Sequence, residues 1–390
     1  MTEHKLGISV YPDLRSLDEI IDYMKLASKY GVTRLFSSMF SVEGTAEEIL
    51  DLFLKMNDAA HECGIETSLD INPDLIEKVG ASENDLSAFK DIHCDILRLD
   101  VPFMDERDAA LINNPYGLRM EWNTSILPEA FYDNLIANGV KPEQILTCHN
   151  FYPAPYTGLR QDKFLSLSRM VHDKGARTAA FIASHNSETH GVWDAKYGLC
   201  TVERMRKDPI DLQARKLLAM GCIDDILIGN AYASEEEFAS LQKAMEVKEL
   251  TDENPMKKVF DHYHRRTDGP QVRVRVNTEK DITENEKKIL FDFFPHSDAG
   301  DSSEWIWRSR MPRLFQPEEG IPVREYSGKE FPRGSVLMVN NNYRHYACEV
   351  RVALLPLEND GLHNLIGTID ESEMELFDFI NPGDSVVFFE

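Results

Sequence analysis

A chain of 390 residues is longer than a single hydrophobic core usually grows, so two domains are expected. Lys and Arg number 42 against 67 Asp and Glu, a formal net charge of −25 that speaks against nucleic acid or an anionic membrane as partner. With 42% hydrophobic residues, 21 Gly and 18 Pro, the composition is that of an acidic globular protein, neither disordered nor fibrous.

The first segment, MTEHKLGISVYP, has no cationic stretch ahead of an apolar core, so no signal peptide is expected. No apolar run nears the ~18–20 residues that span a bilayer. The six cysteines lie far apart without a CxxC pair. They predict reduced thiols in the cytoplasm and no zinc site.

Short apolar runs then alternate with amphipathic stretches eight times. The predicted strands are Leu6–Tyr11, Thr33–Phe40, Ile65–Ile71, Ile96–Phe103, Leu118–Thr124, Ile145–Phe151, Arg177–Ser184 and Ile226–Tyr232. The predicted helices are Leu17–Tyr30, Ala46–Glu62, Leu86–Asp91, Asp105–Ile112, Glu129–Asn138, Asp162–Lys174, Asp211–Met220 and Glu235–Val247. Glycines follow several of these helices, and Ser16, Asp162 and Ser234 stand at N-cap positions. Eight strand–helix units over residues 1–250 predict an α/β fold, a (β/α)8 TIM barrel. No GxGxxG follows the first strand, which argues against a dinucleotide fold. After the polar linker TDENPMKK, residues 251–390 carry alternating runs at Val272–Val276, Ser335–Val339, Cys348–Leu355 and Ser385–Phe389. They predict a small, mostly β domain.

In such a barrel the chemistry sits at the C-terminal ends of the strands, and alternate residues face inward. Parity places Asp70 inside on the third strand and Arg98 with Asp100 on the fourth. It also places Arg119, Glu121 and Asn123 inside on the fifth. The first strand offers Ser9 and Tyr11, the sixth Thr147 and His149, the eighth Asn230. Three carboxylates above two arginines exceed what a structural interior needs, because buried charge is costly unless paired. The bland alternative is an ion network that only fills the barrel. The functional reading is a pair of carboxyl groups with separated pKa values, as glycoside cleavage requires. Asn150 follows His149, and His185 lies in the loop after the seventh strand. His262-Tyr263-His264 has ligand-like spacing but reads as a solvated linker. The strands from the second to the eighth hold no lysine for a Schiff base, and there is no GxSxG elbow.

The runs GISVYP, LRLD, Glu121-Trp122-Asn123-Thr124-Ser125, CHNFYPAPYTGL (Cys148 to Leu159), DDILIGNAYASEEE and PRGSVL together resemble the bacterial 6-phospho-N-acetylmuramidases. The match runs nearly end to end. The resemblance implies a TIM barrel followed by a cyclophilin-like β domain. It also implies cytoplasmic hydrolysis of a 6-phosphorylated MurNAc–GlcNAc disaccharide during cell-wall sugar recycling. Trp122 replaces the usual aliphatic residue, Gly198–Glu203 lacks the usual proline, and Ala183–Ser187 departs from the usual Pro-Ser-Asn; the two loop changes bear on which glycoside fits.

The resulting expectation is a glycosidase with Asp100, Glu121 and Asp70 as catalytic carboxylates, needing no metal and no cofactor. Asp100 and Glu121, taken to stand level on adjacent strands, form the working pair. Tyr11, Asn123, His149, Asn150, Arg160, His185, Asn230 and Arg344 are the expected substrate contacts. Arg160, Lys163 and the helix start near Gly229-Asn230 are the candidates for holding phosphate. Two rivals are a metal-dependent sugar-phosphate isomerase or epimerase, with Asp70, Asp100, Glu121 and His149 as hard ligands, and a non-catalytic carbohydrate-binding protein.

Overall fold

The computed structural model describes residues 4–192, 196–262, 269–315 and 317–390. Eight parallel strands close a barrel in sequence order: β1 (Lys5–Val10), β2 (Val32–Ser38), β3 (Glu66–Ile71), β4 (Ile96–Leu99), β5 (Arg119–Asn123), β6 (Leu146–Cys148), β7 (Arg177–Ile182) and β8 (Asp225–Ile228). Around it run α1 (Leu17–Ser28), α2 (Ala46–Glu62), α3 (Pro73–Lys78), α4 (Ser87–Asp91), α5 (Glu106–Ile112), α6 (Glu129–Ala137), α7 (Gln161–Asp173), α8 (Ile210–Ala219) and α9 (Glu235–Ala244). The predicted TIM barrel is therefore the observed one.

Local sequence explains the helix starts. Ser16 with Glu19, Thr45 with Glu48 and Ser234 with Glu237 form reciprocal capping boxes. The N-cap expected at Asp162 is displaced: Arg160 holds the cap position of α7, and Asp162, in the first turn, binds the Arg160 guanidinium instead. Strands β4 and β6 are shorter than predicted. The chain leaves β4 after Leu99, so Asp100 sits just past the strand, at the barrel mouth.

The C-terminal region is mostly β. Its strands are β9 (Gln271–Arg275), β10 (Asn277–Thr278), β11 (Ile306–Ser309), β12 (Glu330–Phe331), β13 (Ser335–Val339), β14 (Val350–Ala353), β15 (Leu357–Glu358), β16 (His363–Thr368) and β17 (Ser385–Phe389). An antiparallel sheet runs β10-β16-β13-β14-β11, β12 pairs with β15, and β9 pairs in parallel with β17. Sequence reading missed β11 and β16, because polar residues such as Arg308, His363 and Asn364 interrupt their apolar pattern. Asn364 is buried because it donates to Glu286, which also receives Arg324. By contact density one unit runs to Leu217 and resumes over Cys222–Met245. The other comprises Glu246–Glu390 with the short stretch Leu218–Gly221. Among the described residues no helix is long and apolar enough to cross a membrane.

Candidate active site

The site begins with strand register. In the ladders Asp70 of β3 lies beside Arg98 of β4, and Arg98 lies beside Glu121 of β5. Glu121 therefore stands level with Arg98 and Asp70. Asp100 is two residues further along, where Asn123 donates its Nδ2 to Asp100 Oδ1 at 3.4 Å. The expectation that Asp100 and Glu121 share one level is overturned by this register.

Arg98 organises the upper layer. Its Nη1 donates to Asp70 Oδ1 at 2.7 Å and to Asp100 Oδ1 at 2.8 Å, while Nη2 donates to Asn150 Oδ1. One nearly buried guanidinium thus spans groups from β3, β4 and the end of β6. The two carboxyl groups differ in environment: the Asp70 side chain is 8% exposed and that of Asp100 is 45% exposed. Burial pushes Asp70 up to about 6, the Arg98 charge opposes that rise and the Asp100 charge adds to it. Asp70, Arg98, Asp100 and Asn150 share a pocket of about 130 Å³ with Ser38 and apolar walls from Phe36, Phe151 and Phe181.

Glu121 is level with Asp70 along the ladder, but its carboxylate turns to Arg34 of β2 and does not line that pocket. It is fully buried, binds Arg34 Nη2, and accepts from Ser68 Oγ at 3.4 Å; Arg34 Nη1 reaches Asp225 at 2.8 Å. The second inward arginine is thus Arg34, not Arg119, which is exposed at the start of β5 and pairs with Glu66. Sequence reading missed Arg34. A lone cation inside the apolar run Val32–Ser38 was its signal.

The parity assigned to β6 is also reversed. Cys148, not Thr147, joins Phe36, Ala179, Phe181 and Leu227 in an apolar cluster, with Phe151 packed against it. His149 faces α7, its ring tilted against Phe164 at 4.5 Å between ring centroids. Ser168 donates its hydroxyl to Phe164 O, so it accepts from His149 Nε2–H at 2.9 Å. Nδ1 then accepts from Ser125 Oγ at 3.3 Å, and burial pushes the imidazole down to about 3. His149 is a neutral strut. It does not join Asp70, Asp100 and Glu121 in the four-ligand set considered for a metal.

These contacts account for two sequence runs. In Glu121–Ser125, Asn123 accepts from Ser125 N–H at 3.0 Å, and Ser125 Oγ accepts from Asn150 N–H at 3.0 Å. In Cys148–Leu159, Asn150 touches Arg98, Phe151 meets Phe36 and Phe181 edge-on, and Pro153 walls the pocket. Trp122 faces the helix layer as expected, against Phe131.

The other expected contacts scatter. Tyr11 is buried and donates to Gly229 O at 2.6 Å. Gly229 is required there: a Cβ would lie 2.1 Å from Leu199 O. Both ends of the Asn230 amide are taken by the Ser184 backbone, at 2.9 Å each. Asn230 thus fixes the loop after β7 and is not free for substrate. His185 lies on that loop, beside a second cavity. Arg160 is exposed, paired with Asp162, and lines neither cavity. Arg344, in the C-terminal unit, donates to the carbonyls of Glu318 and Glu319. Tyr263 and His264 lie outside the described residues.

A (β/α)8 barrel whose mouth holds two carboxyl groups in unequal environments offers the pair of groups that glycoside cleavage needs. The family model described as 6-phospho-N-acetylmuramidase, N-terminal, matches residues 6–243, and its C-terminal counterpart matches residues 272–389. The chain belongs to the 6-phospho-N-acetylmuramidase family, and it is a glycosidase. Among solved structures it is similar to an uncharacterised B. cereus protein, with 32% identity, all of both chains covered and a TM-score of 0.83. A conserved Enterococcus faecalis protein of unknown function shares the fold at 20% identity and a TM-score of 0.66, with 99% of this chain and 96% of that one covered. No curated protein matches the chain.

Proposed function

We propose that this protein cleaves a 6-phosphorylated MurNAc–GlcNAc-type disaccharide with retention of configuration, Asp70 acting as acid and base and Asp100 as nucleophile. The observation that carries the pairing is Arg98 Nη1, which holds both Oδ1 atoms. Contacts of 2.7 and 2.8 Å to one nitrogen keep those oxygens within about 5.5 Å of each other. That upper bound does not exceed the ~5–5.5 Å of retaining enzymes and lies below the ~6.5 Å at which an inverting water fits.

In the first step Asp70 gives its proton to the glycosidic oxygen while Asp100 Oδ attacks the anomeric carbon, forming a glycosyl ester and releasing the leaving sugar. In the second step Asp70, now a carboxylate, takes a proton from water. The hydroxide displaces Asp100 and frees the sugar. Arg98 keeps both carboxyl groups in place throughout, and Asn150 fixes Arg98. The substrate rests on the family assignment, and we place the reaction in cell-wall sugar recycling on the same ground.

The test is to incubate the enzyme with MurNAc-6-phosphate–GlcNAc and read the first-formed anomer by proton NMR before mutarotation. Retention is expected. An inverted product overturns the Asp70–Asp100 pair, and absence of cleavage overturns the substrate. Asp100→Asn should lower kcat by at least ~10²-fold, because it removes the nucleophile while keeping the side-chain shape.

A further inference from the structure

Two neighbouring serines close strand β2, and their hydroxyls have different fates. Ser37 Oγ donates to Val10 O at 2.9 Å. Ser38 is 2% exposed, its Oγ is fully buried, and among the described residues that hydroxyl has no hydrogen-bond partner. It precedes the short 3₁₀ turn Met39–Ser41 but makes no capping bond to it. The turn is served by the Ser38 carbonyl instead, which accepts from Ser41 Oγ at 3.0 Å. A buried hydroxyl left unpaired costs free energy, and alanine would fill the same place without that cost. Packing alone does not explain this serine.

The hydroxyl lies where the chemistry is. In the β2–β3 ladder Ser38 is the partner of Asp70, and both line the pocket that holds Arg98, Asp100 and Asn150. Neighbouring strands lie ~4.8 Å apart, so two short side chains at one level come within hydrogen-bond reach when their χ1 rotamers turn toward each other. Asp70 has one oxygen to offer. Its Oδ1 accepts from Arg98 Nη1 at 2.7 Å, and among the described residues nothing donates to Oδ2. The acid proton therefore belongs on Oδ2.

Once that proton leaves, the surroundings of Asp70 are one donor short. Arg98 of β4 attracts the ionised form, while Asp100 just past β4 and Glu121 of β5 repel it. Tyr11 of β1 and Cys148 of β6 also face it, and burial raises both groups so that they stay neutral. The Tyr11 hydroxyl is spent on Gly229 O, the Cys148 thiol on His149 O, and the Asn150 side-chain oxygen on Arg98. Phe36, Phe151 and Phe181 wall the rest of the pocket. A bare carboxylate oxygen against such walls needs a donor, and Ser38 Oγ is the unpaired one beside it.

We infer that Ser38 is the positioning residue of the acid–base carboxylate, its hydroxyl donating to Asp70 Oδ2 whenever Asp70 has given up its proton. The inference rests on the reading of Asp70 as acid and base. No atom leaves Ser38. In the first step the proton passes from Oδ2 to the glycosidic oxygen, and Ser38 Oγ–H turns to the vacated oxygen. It holds that charge until water returns a proton to Oδ2 in the second step, and then swings away. While Oδ2 carries the proton it is itself a donor, and Ser38 stands unpaired.

The test uses the full chain as wild type, Ser38→Ala and Asp70→Asn. Carboxyl ¹³C NMR of aspartate-labelled protein follows the titration of Asp70 without substrate, with Asp70→Asn giving the assignment. The pH profile of kcat/KM on MurNAc-6-phosphate–GlcNAc follows the same group in turnover. Loss of a donor to the ionised form raises its pKa, so Ser38→Ala should move the titration and the alkaline limb up by about one pH unit. Its Tm at pH 5, where Asp70 is protonated, should equal or exceed that of wild type, because the hydroxyl has no partner to lose. A titration and limb that stay at the wild-type position overturn the inference. So does a raised KM with an unmoved limb, which would make Ser38 a contact of the sugar, and so does a fall in Tm at pH 5, which would make it structural. A wild type in which no group removed by Asp70→Asn titrates near pH 6 overturns the Asp70 reading itself, and this inference with it.

Discussion

Asp70 carries opposite consequences for catalysis and for stability. Raised from the ordinary 3.8 to about 6 by burial, it binds more protons in the folded protein than in the unfolded chain. Stability therefore falls as pH rises through that window, by roughly 3 kcal/mol between about pH 4 and pH 7. Asp70→Asn has no proton to lose. Its unfolding free energy relative to wild type should grow across the same window and level off above it, as read by denaturant titration at several pH values. A difference that stays flat from pH 4 to pH 7 would mean that Asp70 is not raised. Catalysis reads the same group: kcat/KM for the wild type should drop about tenfold per pH unit above about pH 6, as the acid form is depleted. His149 has the reverse sign. Lowered from 6.5 to about 3 by burial, it adds stability that is present above about pH 6.5 and lost as pH falls towards 3.

At the scale of elements, ladder register separates Asp100 from Glu121, and the side-chain partner separates Glu121 from Asp70. Parity alone places Asp70, Asp100 and Glu121 on the inner face, and it does so correctly. It is blind to height, because the stagger of neighbouring strands is set by closure of the barrel. The register β4–β5 sets Glu121 beside Arg98, and its carboxylate pairs with Arg34, which also binds Asp225. Glu121→Gln should therefore act mainly on folding. Removing one partner of a buried ion pair typically costs ~3–5 kcal/mol, here a fall in Tm on the order of 10 °C. Calorimetry checks it. An unchanged Tm together with a large loss of kcat would return Glu121 to the catalytic pair. The reversal on β6 also depends on a neighbouring element: Ser168 and Phe164 of α7 offer His149 a hydrogen bond and a ring to pack against. Nothing within the strand itself announces that partner.

For the whole molecule, a net charge of −25 means self-repulsion that salt relieves. At pH 8, raising NaCl from 10 to 200 mM should increase Tm by a few degrees. The gain should shrink near pH 5, close to the isoelectric point of about 4.9. Differential scanning fluorimetry over a salt and pH grid measures both, and a Tm that falls with salt at pH 8 would show that local ion pairs outweigh the global field. Among the described residues, four cations line one cavity beside the loop after β7. Sequence reading did not assemble them, since Lys196, Arg204, Arg206 and Lys207 span only a loop with no periodic pattern.

The sequence by itself determined the eightfold strand–helix rhythm, the capped helix starts, the inward carboxylates and the family, because periodicity, caps and motif residues act over a few neighbouring positions. Only the tertiary structure decided that Arg34 lies under Glu121, that His149 turns outward and that Arg98 joins Asp70 to Asp100. Each of these depends on the height at which distant strands meet, or on what a neighbouring helix or loop supplies. Those quantities are fixed when the barrel closes.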